Sequence, residues 1–139
     1  MRHRKKNQKL GRSKSHREML MGMLVSALVK AGKIQTTVTK AKIASGEAEK
    51  MLTLARKGTL ASRRLVASRL RDEDAAKKLC VEIAPQYKDR PGGYTRVVKT
   101  YCRKSDGSQM AILMWVDPAE KKPAKKKAEA PAAEVAQAQ

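Results

Sequence analysis

The first seventeen residues, Met1 to Arg17, carry eight Lys or Arg side chains, two His and no acid. Leu10 is their only sizeable apolar residue after Met1. Such a segment buries too little apolar surface to fold alone, and its charges repel one another. Ordering it costs roughly 17–34 kcal/mol at ~1–2 kcal/mol per residue. A dense polyanion can offset that cost through counterion release and charge-assisted hydrogen bonds to phosphate. The arm therefore predicts a chain that threads into folded nucleic acid and becomes ordered there.

The rest of the chain agrees. Lys and Arg number 32 against 13 acids, a net +19 over 139 residues, and residues 18–117 alone carry +9. A cationic domain favours a second, surface-type phosphate contact. Solubility and membrane-surface binding are the competing explanations of the charge. The second would need a basic amphipathic helix with aromatic anchors, and none stands out. The longest apolar run, Met19 to Val29, is broken by Gly22 and Ser26 and falls short of the ~20 residues of a membrane span. No cleavage pattern follows the arm, so the expected compartment is the cytoplasm, although an acid-poor, basic start also has the composition of a transit peptide. Cys80 and Cys102 suggest neither a disulfide framework nor a zinc ribbon, and are expected to be small buried hydrophobes.

Three segments are expected: a basic arm over 1–14, one domain over 15–117, and a disordered tail rich in Lys, Ala and Pro over 118–139. Within the domain, Ser15 and Glu18 form a capping box for a helix to Ala31, stopped by Gly32. Its apolar residues occupy much of the cylinder, which predicts the central, most buried helix. Lys33–Val38 reads as a strand. Thr39 caps a second helix to about Lys57, with an inner stripe of Ala41, Ala44, Ala48, Met51, Leu52 and Ala55. A third helix, Thr59–Leu70, is expected to pack through Leu60, Leu65 and Val66, leaving Arg63, Arg64 and Arg69 outside. Asp72, Glu73 and Asp74 start a fourth, where negative charge suits the helix dipole; the same cluster could also hold a metal. Its buried face is Ala76, Leu79, Cys80 and Ile83, and Pro85 ends it. Arg90-Pro91-Gly92-Gly93 is a turn into a strand to Arg103, and Ser105–Ser108 a hairpin loop into a returning strand, Met110–Val116. The sum is an α+β fold: about four helices packed on a small, mostly antiparallel three-stranded sheet.

Catalytic chemistry finds little support. There is no phosphate-binding Walker loop, dinucleotide fingerprint, nucleophile elbow or paired-histidine zinc motif, so no catalytic residue, metal site or cofactor is expected. The only histidines, His3 and His16, lie in or beside the arm, where phosphate contact or plain solvation is the expected role. Gly92-Gly93 could cradle a phosphate, yet an ordinary turn explains it as well. With no Phe, one Trp and three Tyr, the chain lacks the rings of a stacking single-strand binder. Recognition of nucleic-acid shape and backbone remains.

Several blocks carry a specific resemblance. Met1-Arg2-His3-Arg4, Ser15-His16-Arg17, Ile34-Gln35-Thr36-Thr37-Val38-Thr39-Lys40-Ala41-Lys42, Ser62-Arg63-Arg64-Leu65 and Arg90-Pro91-Gly92-Gly93-Tyr94-Thr95-Arg96 occur in order over residues 1–117. Together they resemble the bacterial-type large-ribosomal-subunit protein seventeen family. The resemblance implies a structural constituent of the ribosome, cytoplasmic, without enzymatic activity or small-molecule substrate. Its implied partners are large-subunit ribosomal RNA and neighbouring ribosomal proteins near the exit end of the peptide tunnel, with no membrane. The segment from Pro118 inherits nothing from it. On this reading the RNA contacts fall in two groups. Arg2, His3, Arg4, Lys5, Lys6, Lys9, Arg12, Lys14, His16 and Arg17 enter between RNA helices. Lys40 and Lys42 grip backbone at a helix start, while Arg63, Arg64, Arg90, Arg96 and Lys99 form a second surface. A nucleoid-type DNA-binding protein shares the arm and small domain but needs a dimer surface or groove-reading helix. An RNA-modifying enzyme lacks its cofactor or nucleophile motif.

Overall fold

Gly32 ends the first helix where only a residue without Cβ adopts the backbone at no cost: its φ is +76°, and its N–H donates to the Leu28 carbonyl at 2.8 Å. The computed structural model describes residues 8–117; Arg2, His3, Arg4, Lys5, Lys6 and the segment 118–139 lie outside them. Helix α1 is Lys14–Ala31, strand β1 Lys33–Thr37, α2 Val38–Ala55, α3 Leu60–Leu70 and α4 Glu73–Lys78. The chain continues through a π-helical turn, Leu79–Ile83, into α5, Ala84–Gln86, and then β2, Thr95–Cys102, and β3, Gln109–Trp115. The last strand lies in the middle of the sheet, antiparallel to β1 on one side and β2 on the other. Helices packed on a three-stranded antiparallel sheet are the α+β architecture that the periodicities predict.

Helix α2 is the centre of the core. Its whole small-residue stripe, Ala41, Ala44, Ala48, Met51, Leu52 and Ala55, is buried, and the helix touches α1, α3 and all three strands. Helix α1, expected to be the most buried, instead keeps Met19 and Met23 in solvent. Gly22 explains the difference. A Cβ there would meet the Arg69 carbonyl oxygen at 3.0 Å, so the two small residues that interrupt the apolar run, Gly22 and Ser26, are where the end of α3 packs.

Several local expectations are corrected by this packing. The Ser15–Glu18 box is not used: the Ser13 carbonyl already accepts from Arg17 N–H at 3.0 Å, closing the first turn upstream. Thr37, rather than Thr39, precedes α2, because β1 feeds directly into the helix. Leu60 and Leu65 are exposed, and α3 packs through Ser62, Val66 and Leu70. Pro85 does not end its helix. The π-helical turn hands the Ala84 N–H back to the Leu79 carbonyl, spacing the chain where a regular helix would clash with the proline ring. Cys102 is exposed, and Cys80 half-buried, its thiol pushed up by burial against a smaller opposing effect of Arg63.

Three aromatic rings close the sheet onto the helices. Tyr87 and Tyr94 meet edge-to-face at 5.6 Å, and Trp115 lies 6.2 Å from Tyr87. Tyr87 donates to the Val116 carbonyl at 2.6 Å and Trp115 Nε1 to the Leu28 carbonyl at 3.3 Å, so these polar tips are satisfied inside.

The α1–α4 junction is electrostatic. Asp72 accepts from Ala75 N–H as the cap of α4 and pairs with Lys30 Nζ at 2.6 Å. The Lys30 hydrogen bond and then the Ala75 amide hold its carboxyl below the ordinary value of 3.8. A depressed carboxyl stabilises the fold fully above that unfolded value, and the stabilisation is lost as pH falls through the lower folded one. Thermal melts should therefore show Asp72→Ala less stable than wild type at neutral pH, with the gap closing as the buffer is taken well below pH 3.8. A gap that stays constant into acid would rule the pair out.

Candidate nucleic-acid interface

Leu10 and Gly11 both take left-handed backbone, with φ of +55° and +64°, and Leu10 packs on the core. This turn places Gln8 at the lip of a cleft between α1, α2 and the end of α3. The cleft has a volume of about 530 Å³. Arg17, Arg69 and Arg71 line it together with Glu18 and Glu47, over Met21, Ile43 and Met51. Arg71 caps α3 in left-handed backbone, φ +54°, which brings its side chain round to the cleft. Among the described residues none of the three guanidiniums forms an ion pair or side-chain hydrogen bond. Arg12 behaves differently: its Nη1 donates to the Leu10 carbonyl at 2.9 Å and so closes the turn. Lys9, Lys14 and His16 are exposed around it.

The other expected contacts are spread over several faces. Arg63 and Arg64 line a groove between α3 and α4, beside Lys77 and Cys80. Lys40 lies in the first turn of α2 and Lys42 just beyond it, on the side of Ser45, whose hydroxyl bonds Thr95 at 2.7 Å. Arg96 and Lys99, three apart on β2, fall on opposite sheet faces. Arg96 shares a row with Met114 and Lys33 on the face away from the helices, and Lys99 a row with Ala111 and Thr36 on the other. Strand β2 packs on β3 and α2, so it does not continue the Arg63–Arg64 surface.

Arg90 is held in place by a residue that the sequence did not single out. Arg56, just past α2, donates from Nη1 to the Arg90 carbonyl at 2.9 Å and to the Tyr94 hydroxyl, and from Nη2 to the Lys88 carbonyl. Its guanidinium also lies 5.8 Å from the centre of the Tyr94 ring. The Arg90 side chain in turn donates to the Asp117 carbonyl at 3.1 Å.

The profile of the family described as ribosomal protein L17 matches residues 20–116. The chain belongs to that family. Curated relatives, each a large ribosomal subunit protein bL17, include those of Campylobacter lari, 47% identical, and Fusobacterium nucleatum, 48% identical. Each alignment covers 84% of this chain, and respectively 99% and 100% of the relative. The relative from Methylacidiphilum infernorum is 46% identical over 84% of this chain and 89% of its own.

In this L17-family chain Arg56, Arg69 and Arg71 were not among the expected RNA contacts. Arg69 was visible as one more outward arginine of α3. Its convergence with Arg17 and Arg71 depends on how α3 crosses α1. Arg56 carried no signal, since its partners lie more than thirty residues ahead. Replacing it should loosen the whole Arg90 turn: Arg56→Ala is expected to lose about 2–3 kcal/mol, the scale of a hydrogen-bonded charge with several acceptors. Arg56→Lys should recover little, because an ammonium cannot reproduce the planar fork. Chemical denaturation of both variants checks this, and wild-type stability in either would remove Arg56 from that role. No helix among the described residues is long and apolar enough to cross a membrane.

Proposed function

We propose that the chain is a structural, non-catalytic constituent of the large ribosomal subunit that braces folded ribosomal RNA through phosphate and shape contacts. As a ribosomal component it belongs in the cytoplasm. The observation that carries the reading is the surplus of unpaired cations. Among the described residues Arg17, Lys40, Lys42, Arg63, Arg64, Arg69, Arg71 and Lys99 make no ion pair with an acid of the chain. Leaving that many charges uncompensated disfavours the isolated compact state and suits a polyanionic partner. Membership of the family, and relatives named as large-subunit proteins, point to the same partner.

In this reading Arg2, His3, Arg4, Lys5 and Lys6 enter between RNA helices. Lys9, Lys14, His16 and Arg17 continue the contact along the start of α1, with Arg12 shaping the turn. Lys40, Lys42, Arg63, Arg64, Arg90, Arg96 and Lys99 meet phosphates around the domain instead of on one flat surface. Residues 1–14 then act as arm, with Leu10 anchored on the core, Arg12 closing the turn and Lys14 opening α1, while 15–117 act as domain and 118–139 as a separate extension. Neighbouring large-subunit proteins complete the site, and the family resemblance supports a seat near the exit end of the peptide tunnel. Competition at fixed salt tests the reading: labelled large-subunit ribosomal RNA should be displaced by the same RNA and poorly by duplex DNA. Equal displacement by both would favour the nucleoid-type alternative.

A further inference from the structure

The cleft beside the arm holds opposite charges that leave one another unpaired. Arg17, Arg69 and Arg71 reach neither Glu18 nor Glu47 within ion-pair distance, although all five line one space. Lys50 occupies one oxygen of Glu47 at 2.8 Å; the other oxygen, and the Glu18 carboxylate, have no partner among the described residues. A phosphate alone would suit the arginines and be repelled by the acids. A cationic peptide would suit the acids and be repelled by the arginines.

The complementary ligand carries both an anion and hydrogen-bond donors, joined by a flat apolar body. A nucleotide with an amino-bearing base fits that description. Guanidiniums grip its phosphate, carboxylates accept from its exocyclic amino group, and the methionine and isoleucine floor takes the ring. The volume of about 530 Å³ lies in the ordinary range of small-ligand sites. The chain's own arm is a poor occupant, since Arg2, Arg4, Lys5 and Lys6 would face three arginines. An RNA strand running from arm to cleft satisfies both.

Resting on the ribosomal-RNA reading, we infer that this cleft receives one unstacked nucleotide of ribosomal RNA whose base is adenine, cytosine or guanine rather than uracil. The base is read by Glu18 and Glu47. Hydroxyl-radical footprinting and base-specific chemical probing of large-subunit ribosomal RNA, with and without the full chain, test this. The expected result is a backbone footprint containing one protected amino-bearing base. In the variant Glu18→Ala with Glu47→Ala, the base should regain reactivity by roughly tenfold, the discrimination of one good base-edge contact, while the footprint persists. A thermal melt matching wild type shows that the variant folds. A footprint without any protected base, a protected uracil, or a base equally protected in the variant overturns the inference and leaves the RNA reading standing. Absence of a wild-type footprint would instead fail the reading beneath it. A photo-crosslinker replacing Ile43 in intact large subunits should label RNA, and labelling of a protein in its place overturns the assignment.

Discussion

Affinity for large-subunit ribosomal RNA is expected to collapse with salt, following a log–log slope of about −6 for the seven cations of Met1–Arg17 other than Arg12, which closes the turn. Between 50 and 200 mM salt that amounts to roughly 10³–10⁵ in binding constant. Cutting out residues 2–7 removes Arg2, Arg4, Lys5 and Lys6 and should flatten the slope by about 3–4, at ~0.9 per phosphate contact. The cut belongs there because Leu10 packs on the core, the Arg12 side chain closes the turn and Lys14 already begins α1. The shortened protein should keep the thermal stability of the full chain while failing to enter large subunits. Filter binding across a salt series, with a melt in parallel, reads both quantities. A slope near zero, or full incorporation of the shortened chain, would dismiss threading as the mechanism.

The second large effect concerns folding. Leu28 on α1 and Leu52 on α2 are completely buried, so truncating either to Ala leaves a cavity and should cost about 2–5 kcal/mol. Domains of this size are stable by only about 5–15 kcal/mol, so the melting temperature should fall by on the order of 10 °C or more. Leu60→Ala supplies the contrast: that side chain is 63% exposed, and its loss should stay within about 0.5 kcal/mol. If Leu60→Ala proved as damaging as Leu52→Ala, the orientation of α3 would be wrong.

That contrast shows where reading the sequence succeeds. The α2 stripe was legible residue by residue, because small apolar side chains at helical spacing against polar neighbours leave one face to bury. The glycine stops, the strand pair around Ser105–Ser108 and the number of strands were legible for the same local reasons. Leu60 and Leu65 misled, since apolar character marks what can be buried and not what is. Their helix met its neighbours through Ser62, Val66 and Leu70. On the candidate interface, the basic residues were visible one at a time, while their grouping was not. Arg96 and Lys99 part across the sheet, and Arg17 joins Arg69 and Arg71 from helices some fifty residues apart.

Charge density, helix-breaking glycines and hydrophobic period are properties of neighbours along the chain. From these the sequence alone determined the α+β class, the basic arm and the polyanionic partner. Which helix is central, what holds the Arg90 turn and which arginines share a cleft with two acids were decided in three dimensions. Each depends on a crossing or hydrogen bond between distant segments, such as Gly22 against the Arg69 carbonyl or Arg56 against Lys88, Arg90 and Tyr94. No local propensity encodes such a contact, because its energy exists only once the helices have packed.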